Sequence, residues 1–153
     1  MKNRLLLLTL GLALAIIPGV RAQDAKPAAK AEKPETELEK TMGKIGKAWR
    51  TVRGQSRDGK LSPATAEIVA GIRAGAEAAT KLTPQLEAEQ PADKRAKFQA
   101  DYVAQMKKFT GQLTDLETAL KAGKNDEAKA LIAEIGKTMK SGHEDFKKPD
   151  EKH

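Results

Sequence analysis

The chain is predicted to be all-α, an up-down-up-down antiparallel four-helix bundle. Three observations predict it. Apolar residues recur at steps of three and four along four separate stretches. Ala, Lys, Glu, Leu and Gln dominate those stretches, all good helix formers, and strand-like alternation is missing. The breaks between stretches are mostly short, which favours antiparallel neighbours.

Residues 1–22 read as an export signal. Met1-Lys2-Asn3-Arg4 is a short basic start, Leu5 to Ile17 is free of charge, and Pro18-Gly19 breaks that run. Val20-Arg21-Ala22 places small side chains at the −3 and −1 positions of a cut after Ala22. The apolar run of 13 residues falls short of the roughly 20 that a bilayer span requires. The expected destination is the periplasm, with no stable membrane insertion once the signal is cleaved. Residues 23–35 are rich in Ala, Lys and Glu with two prolines, and read as a flexible tether.

The bundle is expected over 36–148. Helix 1 carries the stripe Leu38, Met42, Ile45, Trp49, Val52, with Thr36 as a plausible N-cap. The stretch Gly54 to Gly59 ends it. Ser62-Pro63 opens helix 2, serine as cap and proline at the first helical position. Its stripe is Thr65, Ile68, Ile72, Ala76, Ala79, and Thr83-Pro84 marks a break. After a polar connection to Gln90-Pro91 comes the longest stripe: Phe98, Tyr102, Met106, Phe109, Leu113, Leu116, Leu120. Gly123-Lys124-Asn125 makes a C-cap and turn. Helix 4 carries Ile132, Ile135, Met139, His143, Phe146, and Pro149 stops it. The tail 149–153 is expected to fray.

Composition narrows the function. The chain has 153 residues, about one domain, and no cysteine. That excludes disulfides, zinc-thiolate and iron–sulfur sites, a cysteine nucleophile and covalent haem attachment. The formal charge is +7; losing Lys2, Arg4 and Arg21 leaves 25 cations against 21 carboxylates, or +4. Such a modest excess does not indicate a nucleic-acid partner. Neither a nucleophile–base set, nor a Glu-x-x-His pair, nor a glycine-rich phosphate loop is present, so no enzyme is expected. The narrow stripes with charged flanks fit a solvated monomer.

Two stripe residues bear chemistry. Met42 lies about six residues into helix 1 and His143 about five before the end of helix 4. At 1.5 Å per residue their depths are about 9 and about 8 Å, at the same end of the bundle. Facing inner surfaces are expected for both. Helix 2 brings a run of small residues to this level, Ala70-Gly71, Ala74-Gly75-Ala76 and Ala78-Ala79, and helix 3 brings Phe98, Tyr102 and Met106. A thioether, an imidazole, a small-residue shelf and aromatic walls describe a cavity suited to a flat apolar group with a central metal. Iron porphyrin accepts both ligands. Each residue also has an ordinary reading, methionine as core filler and histidine as a boundary residue.

Three segments carry a family resemblance: Glu37 to Met42, Ala119 to Lys129, and Thr138 to Phe146. The chain resembles cytochrome b562 across roughly 36–148. The resemblance implies Met42 and His143 as axial ligands of one non-covalent b-type haem (iron protoporphyrin). It implies a helix 3 wall at Tyr102 and Met106, and Lys147 near the haem propionates. Electron transfer to unidentified redox partner proteins follows. Two other functions remain open. One is a haem-free bundle serving as a structural or binding module. The other is a copper handler using Met139 and His143, four apart, with Met106.

Overall fold

A computed structural model of the protein describes residues 35–148. The expected signal, nearly all of the tether and the tail lie outside the described residues. Four helices are present: α1 Glu37–Arg57, α2 Pro63–Ala79, α3 Arg95–Lys121 and α4 Asn125–Phe146. A 3-10 turn, Gln85–Glu87, interrupts the connection between α2 and α3. Among the described residues there is no strand, and no helix is long and apolar enough to cross a membrane.

Local chemistry sets the helix ends. The Thr36 hydroxyl accepts the Glu39 N–H at 3.2 Å, and the Glu39 carboxylate accepts the Thr36 N–H at 2.7 Å. This reciprocal pair satisfies two donors that the first turn leaves unpaired. Helix α1 continues through Gly54 and stops at Asp58-Gly59, where Gly59 takes φ 68°. Only that residue within the expected break needs left-handed backbone. Ser62 and Pro63 open α2 as expected, and the Thr65 hydroxyl accepts the Ser62 N–H at 3.1 Å. Gly123, at φ 69°, turns the chain from α3 into α4.

The stripes converge on one core. Ile45, Trp49 and Val52 meet Val69, Ile72, Phe109, Leu113, Leu116, Leu120 and Ile135, all buried. In α2, Ala66 and Val69 are buried beside the expected Thr65, Ile72, Ala76 and Ala79, and Ile68 is only half-buried. The buried face of α2 is therefore wider than its stripe, because α2 packs against both α1 and α3. Helix α3 packs against α2 and α4, whereas α1 and α4 touch only sparsely.

Small residues on α2 govern its approach to α1. A methyl group added at Gly75 would lie 3.2 Å from Ile45 Cγ1. Ala76 and Ala79 are buried in the core, while Gly71, Ala74 and Ala78 are exposed. The expected small-residue shelf therefore does not line a cavity. Half-buried Gly75 lets α1 approach closely, Ala76 and Ala79 pack in the core, and Gly71, Ala74 and Ala78 face solvent. On the outer side, Arg73 joins Glu77 at 2.7 Å and Glu117 of α3 at 3.3 Å.

These contacts predict opposite outcomes for two glycines of one helix. Gly75→Leu overpacks against Ile45 and lowers stability by about 1–3 kcal/mol in urea unfolding. Gly71→Ala meets nothing within 4 Å. It raises stability by about 0.8–1 kcal/mol through helix propensity.

Candidate functional site

Contacts assign a direction to each flank of α4. The Gln105 side-chain amide of α3 donates to the Thr138 carbonyl at 3.0 Å, and a methyl group added at Gly142 would meet Gln105 at 3.6 Å. The Thr138–Gly142 flank therefore faces α3. Ile132 shares a groove with Arg50, Arg53 and Arg57, so its flank faces α1. Steps of four, three and four from Ile132 lead to Gly136, Met139 and His143 along this second flank.

Helix α1 divides in the same way. Ile45 lies against Gly75 and marks the α2 side. Arg53 shares the groove with Ile132 and marks the α4 side. Met42, Gly46, Trp49 and Arg53 fall at steps of four, three and four along that side. Met42 and His143 therefore occupy flanks that face each other across the α1–α4 seam. Met42 is the sixth residue of α1 and His143 the fourth from the end of α4, so both sit within about two turns of their helix ends.

The burial of the two residues differs. Met42 is half-buried and packs against the core. His143 is exposed, not on an inner surface as its place in the stripe suggested. Its rotation explains this. Eight residues beyond Ile135, it stands about 80° from the centre of the buried face. At that angle only α1 could cover it, and α1 stays apart from α4. Met139, four residues earlier, is half-buried.

The seam has room at backbone level. Gly46 and Gly136 are each half-buried, yet a methyl group added to either meets nothing within 4 Å. The seam thus carries a half-buried thioether on one side and an exposed imidazole on the other, two ligand types that iron porphyrin accepts. Among the described residues no group of three or more His, Asp or Glu side chains could hold a bare ion instead.

The aromatic residues close one end of the bundle. Phe146, the last residue of α4, sits edge-on to Phe98 at 5.2 Å and to Tyr102 at 5.5 Å between ring centres. Tyr102 is buried and donates its hydroxyl to the Ala79 carbonyl at 2.9 Å. Met106 is buried one turn further along α3, and Phe98 is half-buried. Phe146 was expected only as a stripe residue. Its meeting with both rings depends on where α4 stops relative to α3, which periodicity does not specify. Lys147 is exposed, and its N–H donates to the His143 carbonyl at 3.1 Å, closing α4.

Comparison with protein-family models finds a match to one described as Cytochrome b562, over residues 37–147. No curated protein and no solved structure matches the chain. The matched range begins at the first residue of α1 and ends one residue beyond α4.

Burial pushes the Tyr102 hydroxyl up from 10.0 to about 12, because the phenolate loses its water. A pKa raised on folding means that the native state holds the proton longer. This contribution to stability is complete below pH about 10 and falls as pH rises towards about 12. Tyr102 is the single tyrosine of the chain, so phenolate absorbance reports it alone. Its titration is expected near 12 in the folded protein and near 10 in denaturant. Tyr102→Phe should remove this part of the alkaline fall and cost about 0.5–1.5 kcal/mol at neutral pH.

Proposed function

The chain belongs to the cytochrome b562 family, and from that premise we propose that it is an exported electron-transfer protein. It holds one non-covalent b-type haem in the α1–α4 seam, with Met42 and His143 as axial ligands. The observation that carries the ligand assignment is the arrangement of these two residues. They occupy facing flanks of two helices that pack sparsely, near the ends of both helices, on a seam with space at Gly46 and Gly136.

The haem supplies reversible one-electron exchange at its iron. The protein contributes ligands, position and surroundings. The Met42 sulfur is a soft, weak donor, and with the His143 imidazole it favours the reduced iron and a raised potential. Held by Met42 and His143, the iron would have no position left for oxygen, and electron transfer is the expected role rather than catalysis. Tyr102, Met106 and Phe98 form an apolar backing at this end of the bundle. Hydrogen bonding to Ala79 fixes the Tyr102 ring and keeps its hydroxyl occupied. Lys147 adds positive charge near the propionates. In this reading residues 1–22 are the export signal, the carrier works in the periplasm, and redox proteins are its partners.

A visible spectrum of the purified protein, oxidised and then reduced, tests the reading. A six-coordinate haem gives a strong Soret band and sharp bands at longer wavelength on reduction. Met42→Ala and His143→Ala should each abolish those sharp bands. Each should weaken haem retention by more than the roughly 10–100-fold typical of losing an outer-shell group. Unchanged spectra in both variants would reject these ligands. A protein that takes up no haem but binds Cu(I) through Met139 and His143 would establish the copper reading instead.

A further inference from the structure

The seam that carries Met42 and His143 continues into a second feature. Towards the end of α1 it widens into a groove of about 540 Å³, lined by Arg50, Arg53, Gly54, Ser56 and Arg57 of α1 and by Ile132 of α4. Three arginines thus line one groove, and no carboxylate does. They belong to a longer run of cations. From Lys40 to Arg57, α1 carries six cations and no acidic residue.

These charges are largely uncompensated. Among the described residues, Arg57 alone of the six has a carboxylate in reach, the exposed Asp58 at 3.7 Å. Arg50 donates to the Gly46 carbonyl of its own helix at 3.3 Å, which leaves its charge in place. Elsewhere among the described residues, Arg73, Lys97, Lys121, Lys124, Lys129 and Lys140 each lie beside a carboxylate in their own helix or at its cap, while unpaired cations such as Lys81, Lys107 and Lys108 do not line this groove. No acidic side chain of α4 lines the groove. Glu134 bonds to Gln112 of α3, and Asp145 lies with Phe98 and Gln105 on the α3 side.

We propose that this arginine groove docks an acidic surface of a partner protein. Three arguments favour that occupant. The guanidinium fork matches carboxylates in geometry and in charge. The acid-free run of α1 extends over about 25 Å, the scale of a protein contact rather than of a small ion. An interfacial membrane helix needs an exposed apolar face, and here the apolar lining residue, Ile132, is buried. The groove also starts near the proposed redox site. Arg50 follows Met42 by eight residues, about 12 Å along the same helix. That the partner is a redox protein rests on the haem reading; that it is acidic does not.

The test uses the purified protein and a fluorescently labelled polyglutamate peptide, followed by anisotropy. The peptide should bind at low salt and weaken steeply towards physiological salt as screening shortens to about 8 Å. The triple variant Arg50→Gln/Arg53→Gln/Arg57→Gln should weaken binding at least about tenfold. A second triple variant, Lys81→Gln/Lys107→Gln/Lys108→Gln, removes the same charge from exposed positions on α3 and beyond the end of α2. It should weaken binding by less than about threefold. Equal weakening in both variants would overturn the proposal in favour of general charge attraction. Saturable binding of pyrophosphate without polyglutamate binding would overturn it in favour of a small-anion site. Preferential binding of anionic phosphatidylglycerol vesicles would overturn it in favour of a membrane surface. The readout needs no haem, so its outcome is separate from that of the spectral experiment.

Discussion

Packing between α1 and α4 is sparse, whereas each of the other neighbouring helix pairs meets along a well-filled face. That inequality shapes the molecule. Helices α2 and α3 supply the centre, with Ile72, Leu113, Leu116 and Leu120 fully enclosed. Helices α1 and α4 are each anchored to that centre by one flank. Their opposite flanks face each other with Gly46 and Gly136 between them, and neither glycine presents a side chain to fill the gap. A bundle designed for stability alone would place leucine there. Beyond the two glycines the seam is covered by Trp49 and Ile132, both buried.

The residues proposed for function lie along this seam. Near the start of α1 and the end of α4 it carries a thioether and an imidazole. Further along it carries three arginines. Residues that stabilise the fold stand on other faces: the Arg73–Glu117 bridge joins α2 to α3, and the Tyr102–Ala79 hydrogen bond holds the end of α2 to α3. Glu117 is held below the usual carboxylate range by its hydrogen bonds to Lys121 and Arg73, which outweigh its desolvation. This division keeps the stabilising ion pair and hydrogen bond off the seam.

Much of this was legible in the residues themselves. The stripes located all four helices, and Thr36, Ser62-Pro63 and Gly123 marked their ends through ordinary capping chemistry. Two features were not legible. The small residues of α2 suggested a cavity, because composition does not reveal whether a gap is filled from the facing helix; Ile45 fills it. His143 fits the period of the buried stripe yet lies exposed on its rim. A step of four from Met139 preserves the flank but drifts away from the centre of the buried face, and only the spacing of α1 from α4 decides whether such a residue is covered. The acid-free run of α1 was present in the sequence from Lys40 to Arg57, and counting charges helix by helix finds it.

The proposed redox site requires the Met42 sulfur to reach iron across the seam. Nuclear magnetic resonance of the reduced, haem-loaded protein tests this most directly, because the methyl group of a methionine bound to haem iron lies over the porphyrin ring and shifts far upfield. One methyl signal should move in this way, and it should disappear in Met42→Ala. An unshifted spectrum, or a shifted signal that survives in that variant and belongs to Met106 or Met139, would contradict the account.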